Sequence, residues 1–128
     1  MERGVHVQNC LKKRRTMHRI YKTTTFESAH LLEGHPKCGK LHGHSYKLEV
    51  WVSSNELVPP YDFVVDFHVI SDIAKQYDHS DKVIKVSCEV LTKEIHTQLY
   101  QILEKQSDTF HIKVRLWETA TSYGEYET

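Results

Sequence analysis

Cys38-Gly-Lys-Leu-His42-Gly-His44-Ser-Tyr-Lys-Leu-Glu-Val-Trp-Val-Ser53 carries two signals at once. From Ser45 to Ser53 it alternates. Tyr46, Leu48, Val50 and Val52 face one way, and Lys47, Glu49 and Trp51 face the other, which predicts a strand with one buried face. At its start, His42 and His44 are two residues apart and so project to the same side of extended chain. Gly43 between them adds no side chain to crowd a bound ion, and a third histidine, His30, lies upstream. Three neutral imidazoles with an open fourth position suit catalytic zinc, whereas structural zinc usually closes all four positions, often with thiolates. Iron or nickel would also accept such ligands. His35 lies in the same loop without ligand-like spacing and is left out of the set.

Outward from this stretch, Arg19 to Phe26 alternates through three consecutive threonines and reads as a preceding strand. Asn55 to Tyr61, with Pro59-Pro60, reads as a loop. Asp66 can cap a helix with Phe67, Ile70, Ile73, Ala74 and Tyr77 on one face. Ser87 can cap a second, with Glu89 in the first turn where the dipole favours negative charge and a stripe of Leu91, Ile95, Leu99, Ile102 and Leu103. His111 to Trp117 is a third strand with Ile112, Val114 and Leu116 on one face, and Ser122 to Glu127 a short fourth. The order ββααββ predicts an α+β fold: a four-stranded antiparallel sheet with both helices on one face. By alternation the uncovered face still carries Trp51 and Trp117, which predicts burial against other subunits.

At 128 residues the chain reads as one domain. Zero formal charge and a pI near 7.2 supply no field for nucleic acid or anionic membrane, and no apolar run is long enough to span a bilayer. The N-terminus lacks the apolar core of a secretory signal. Three cysteines, Cys10, Cys38 and Cys88, make no disulfide framework, so a reducing, cytoplasmic setting is expected. Residues 1–17, with the run Lys12-Lys13-Arg14-Arg15, read as a basic solvated tail before a single domain at 18–128, and Met17 as a candidate natural start.

Several other residues carry possible chemistry. Cys38, on a loop flanked by glycine and lysine, reads either as a fourth zinc ligand or inert thiol, or as a base whose pKa is lowered by a nearby cation. Asp78-His79 follows the first helix, and Glu118 ends the third strand, where a carboxylate can accept two N–H groups of a heterocycle. Cys10 and Cys88 read as structural or incidental.

Phe26-Glu-Ser-Ala-His30, Cys38-x₃-His42-Gly-His44, Val65-Asp66-Phe67, Asp78-His79 and Trp117-Glu118-Thr119 occur in the order seen in the 6-pyruvoyltetrahydropterin synthase superfamily, which residues 18–127 resemble. Three residues between the cysteine and the His-Gly-His, with Glu33-Gly-His-Pro-Lys37 before them, are similar to the 6-carboxy-tetrahydropterin synthase group. The resemblance implies the tunnelling fold, with sheets joined into a trimeric barrel, two trimers stacked into a hexamer and active sites shared between subunits. It implies Zn²⁺ on His30, His42 and His44, proton transfer by Cys38 with Asp78 and His79, and Glu118 anchoring the pterin. Ser87 and Glu89 stand where the family often has Pro-Thr-x-Glu and are carried over as substrate-side residues. The implied reaction converts 7,8-dihydroneopterin triphosphate to 6-carboxy-5,6,7,8-tetrahydropterin, acetaldehyde and triphosphate, in 7-deazapurine (queuosine, archaeosine) biosynthesis.

The chain departs from the family where Ser80-Asp81-Lys82-Val83 replaces a Leu-Asn pair and where Val86-Ser87-Cys88-Glu89 replaces Pro-Thr-x-Glu. These changes touch the pterin-side loop rather than the zinc residues. Lys37, Lys40 and Lys82 are the candidate contacts for the triphosphate. Two alternatives stay open: a 6-pyruvoyl enzyme, which releases triphosphate without acetaldehyde, and a non-catalytic module in which Cys38 closes a His₃Cys zinc site.

Overall fold

A computed structural model describes residues 17–128; Cys10, the basic run and the rest of the expected tail through residue 16 lie outside the described residues. Strands β1 (His18–His30), β2 (His42–Ser54), β3 (Phe110–Thr119) and β4 (Ser122–Glu127) form one antiparallel sheet in that spatial order. Helices α1 (Phe67–Lys75) and α2 (Cys88–Leu103) lie between β2 and β3 in sequence, α1 against β1 and α2 against β3 and β4. The ββααββ order and the two-helix layer are those expected.

Register explains the core. β1 and β2 pair without a slip from His18↔Ser54 to His30↔His42, so one set of alternating residues faces the helices along the whole hairpin. Phe26, Tyr46, Leu48, Val50, Val52, Ile112, Val114 and Leu116 fill that face and are fully buried. Leu91, Ile95, Leu99 and Leu103 of α2 and Ile70, Ile73 and Ala74 of α1 meet them. Each large side chain so buried stabilises by about 1.5–3 kcal/mol. Asp66 Oδ1 accepts from His68 N–H at 2.9 Å, and Ser87 Oγ from Val90 N–H at 3.2 Å, as the capping reading expected.

Two differences from the sequence reading bear on the site. β1 continues past Phe26 to His30 and β2 starts at His42, so all three clustered histidines sit on strands. Phe67, expected on the apolar face of α1, is 48% exposed, because Val64 and Val65 ahead of the helix fill the core there instead. Trp51 and Trp117 do lie on the uncovered face, but within a lattice of polar contacts. Glu49 accepts from Tyr21 Oη and Trp117 Nε1, both at 2.5 Å. Burial pushes the Glu49 carboxyl up; those two hydrogen bonds and the nearby Lys47 and Arg115 outweigh it and hold it below the usual range. Arg115 lies over the rings of Trp51 and Tyr123 and bonds Glu125 at 2.8 Å.

Candidate active site

The helix-facing rows of the β1–β2 hairpin change character along its length. Phe26 opposite Tyr46 ends the apolar part; Ser28 opposite His44 and His30 opposite His42 follow on the same face. His30 is 1% exposed, His42 and His44 half-buried. One donor nitrogen from each lies within 4.8 Å of the others. His30 Nδ1 is 3.2 Å from His42 Nε2, which is 2.9 Å from His44 Nε2.

The far nitrogens show which species face the centre. His30 Nε2 is 2.9 Å from the Val86 carbonyl oxygen, and His42 Nδ1 is 2.7 Å from that of Lys40. A carbonyl only accepts, so each of those nitrogens carries its ring's proton and the lone pairs point inward. His30 Nδ1 and His42 Nε2 then face each other with no proton to share, and a cation between them relieves the repulsion. Metal-ligating histidines typically donate their far N–H to a carbonyl or carboxylate in this way, which fixes the ring's orientation and tautomer. The donor set therefore fits a metal ion. Burial lowers the His44 pKa, opposed by the Glu118 carboxylate and reinforced by the other two imidazoles. His44 thus tends to the neutral form that a ligand needs.

Glu118 comes to the same place by a different route. Leu116 faces the helices, so alternation along β3 turns Glu118 to the same face, at the β3–β4 register shift between Trp117 and Thr119. Glu118 Oε1 lies 3.5 Å from His44 Nε2. Cys38 sits half-buried in the loop that closes the hairpin above the His30–His42 pair, and it is not among the clustered donors.

Asp78 and His79 dock on the outer edge of β1. Asp78 Oδ1 accepts the Glu27 N–H at 2.8 Å and lies 3.1 Å from His79 Nδ1; the backbone bond first, then His79, holds the carboxyl below its usual range. His79 N–H donates to the Glu27 carbonyl at 2.7 Å, with His79 at φ +50° in the left-handed region. Non-glycine residues held there cluster at functional sites. His79 and His44 line one groove of about 350 Å³ with Glu27 and Ser45. The segment then follows β1: Ile84 N–H donates to Ala29 and Leu31 N–H to Ile84, which brings Val86 to His30. Ser87 spends its hydroxyl on the α2 cap, and Glu89 is exposed in the first turn. Cys88 is buried, donates to the Leu116 carbonyl, and is pushed up to about 11 by that burial, so it is inert as expected.

The Val86 and Lys40 carbonyls were not foreseen, since a backbone oxygen leaves no mark in a residue pattern. Neither was Glu27, whose backbone holds Asp78 and His79. Ser28, facing His44, is buried with an unpartnered hydroxyl.

Comparison with known proteins shows the family. Residues 19–128 match the family model described as 6-pyruvoyl tetrahydropterin synthase. The chain belongs to the 6-pyruvoyl tetrahydropterin synthase family. Within it, the chain is 30% identical to 6-carboxy-5,6,7,8-tetrahydropterin synthase of Haemophilus influenzae, over 87% of this chain and 99% of the relative. It is 33% identical to the protein of that name from Aquifex aeolicus, over 71% and 76%. The fold matches 6-pyruvoyl tetrahydropterin synthase of Caenorhabditis elegans with TM-score 0.66 at 19% identity, covering 88% of this chain and 96% of that one. Family membership makes the chain a pterin-synthase-type protein, and among the described residues the histidine triad is a group able to hold a metal ion. Among the described residues no helix is long and apolar enough to cross a membrane.

Proposed function

We propose that this chain is a zinc-dependent carbon–carbon lyase. It converts 7,8-dihydroneopterin triphosphate to 6-carboxy-5,6,7,8-tetrahydropterin, acetaldehyde and triphosphate, a step toward 7-deazapurines. The observation that carries the reading is the triad of His30, His42 and His44, two of them with lone pairs turned inward by carbonyl caps, beside Glu118 and a groove holding His79. The family and its relatives named 6-carboxy-5,6,7,8-tetrahydropterin synthase support the substrate class, and the three-residue spacing from Cys38 to His42 supports the carboxy branch.

Zinc on the three imidazoles would supply Lewis-acid polarisation and a template for the side-chain hydroxyls. Cys38, as thiolate, takes a proton from the side-chain carbon next to the ring. His79, steadied by Asp78 at 3.1 Å, exchanges a proton on the other side. Glu118 accepts from the N–H groups of the ring and fixes which carbon faces the thiol. After loss of triphosphate, atom balance of the carbon–carbon cleavage requires one water to complete the carboxylate. Ser87 and Glu89 border the substrate-side segment; Lys37, Lys40 and Lys82 are the cations proposed for the triphosphate. β1 and β4 are the sheet's edge strands, so the proposed trimeric barrel, and the hexamer of two trimers, joins them between subunits. The proposed compartment is the cytoplasm.

The test is to incubate zinc-loaded protein with 7,8-dihydroneopterin triphosphate and quantify acetaldehyde, triphosphate and pterin together. Equimolar acetaldehyde and 6-carboxy pterin support the reading. Triphosphate without acetaldehyde moves the chain to the 6-pyruvoyl branch, and no reaction with zinc bound rejects both.

A further inference from the structure

We infer that His35 is a positioning residue whose imidazole Nδ1 caps the turn that carries Cys38. The inference rests on the proposed role of Cys38 and adds a residue the metal chemistry does not use, since His35 is not among the clustered donors.

His35 Nδ1 lies 2.9 Å from the Cys38 backbone nitrogen and 3.2 Å from that of Lys37. Both are N–H donors, so Nδ1 is the acceptor and the ring proton sits on Nε2. One lone pair thus serves the amides two and three residues ahead. That is the bonding pattern of an Asx turn, in which a short side chain caps its own backbone, here made by an imidazole. The backbone closes the same loop from the other side. Gly39 N–H donates to the His35 carbonyl at 2.9 Å, His35 N–H to Leu32 at 3.1 Å, and Leu32 N–H to the Cys38 carbonyl at 2.7 Å. Leu31, the next residue back, is pinned to Ile84. Cys38 is therefore tied through two backbone steps to the strand end that bears His30.

Packing makes the turn intolerant. A Cβ on Gly39 would stand 2.4 Å from the His35 carbonyl oxygen, a backbone atom that cannot swing away. The His35 side chain is exposed, and its bonds run to the Lys37 and Cys38 amides. They hold the Cys38 backbone in one place in the loop that joins His30 to His42. Misplacing a reacting group by about 1 Å can cut a rate by about 100-fold without unfolding anything.

The experiment compares zinc-loaded wild type with His35→Ala, His35→Asn and Gly39→Ala. Two readouts are taken: turnover of 7,8-dihydroneopterin triphosphate, and the rate at which iodoacetamide alkylates Cys38, followed by mass spectrometry of its peptide. Alkylation is measured at about pH 9.5, above the usual thiol pKa of about 8.5, so that access limits the rate. His35→Ala should keep its zinc, lower kcat by about tenfold to 100-fold with KM within about twofold, and alkylate Cys38 several times faster. Gly39→Ala should do the same. His35→Asn supplies an oxygen acceptor at the right reach and should return both readouts close to wild type. Wild-type alkylation in His35→Ala, or failure of His35→Asn to rescue it, overturns the inference. If wild type itself turns over no substrate, the proposed activity fails, and the alkylation order still decides whether His35 holds the loop.

Discussion

The same two strands, on the same face and in the same register, build two different things. From Ile20–Val52 to Phe26–Tyr46 the helix-facing side chains of β2, with Phe26 of β1 and the matching residues of β3, are sealed under the helices at 1% exposure or less, while Ile20, Lys22 and Thr24 on the outer strand are half-buried. Two rows further on, Ser28–His44 and His30–His42 continue that face under a loop rather than a helix. The first half gains stability by excluding water. The second half concentrates lone pairs that need a cation, next to a buried hydroxyl with no partner. A rigid β-ladder delivers precision to both, because one slip in register would turn every one of these side chains to the other face.

The comparison predicts that damage to one half spares the other. His42→Ala should abolish stoichiometric zinc binding, read by elemental analysis after dialysis, while the thermal transition of the metal-free protein stays put. A variant that unfolds instead would merge the two halves. Leu48→Ala should show the reverse: about 2–5 kcal/mol lost in denaturant titration, with zinc stoichiometry retained by the folded fraction. Glu118→Ala should weaken pterin affinity by about tenfold, in line with loss of a charge-assisted hydrogen bond of about 1.5–3 kcal/mol, and leave zinc in place. Unchanged pterin affinity by fluorescence titration would remove Glu118 from substrate binding. Ser87→Ala should cost about 1 kcal/mol by removing the α2 cap. Because Ser87 follows Val86, it should also loosen zinc slightly if the two halves communicate there.

The smallest effect concerns Asp78. Its carboxyl is held below the ordinary value by the Glu27 amide and then by His79, so its stabilisation is complete above the unfolded pKa of about 3.9. It is lost only as pH falls through the lower folded value. Asp78→Asn should therefore be less stable than wild type at pH 7 and at pH 5, with the gap closing below about pH 4. A gap that closes between pH 7 and 5 would contradict the Asp78–Glu27 bond.

Much of this was legible before any coordinates. Alternation in 45–53 gave the buried face, and the caps at Asp66 and Ser87 gave both helix starts, because these signals are local. The histidine trio was legible for the same reason, two of its members being fixed by strand period alone. What stayed hidden depends on the backbone or on long-range register. The Val86 and Lys40 carbonyls leave no trace in side-chain types, and the docking of Asp78 and His79 on Glu27 depends on long-range bonds to its backbone. Phe67 misled because an apolar residue at helical spacing looks buried until Val64 and Val65 take its place. Alternation placed Trp51 and Trp117 on the uncovered face, but the contacts that Glu49 and Arg115 make with them there depend on cross-strand register.

The central claim is that three imidazoles, and no thiolate, hold the metal at the end of the hairpin and leave a position open for substrate. X-ray absorption of the zinc-loaded protein tests it most directly. The account predicts nitrogen and oxygen scatterers only, with imidazole nitrogens at about 2.0–2.1 Å. A sulfur scatterer at about 2.3 Å would mean that Cys38 closes the site, and would contradict both its role as a base and the open position.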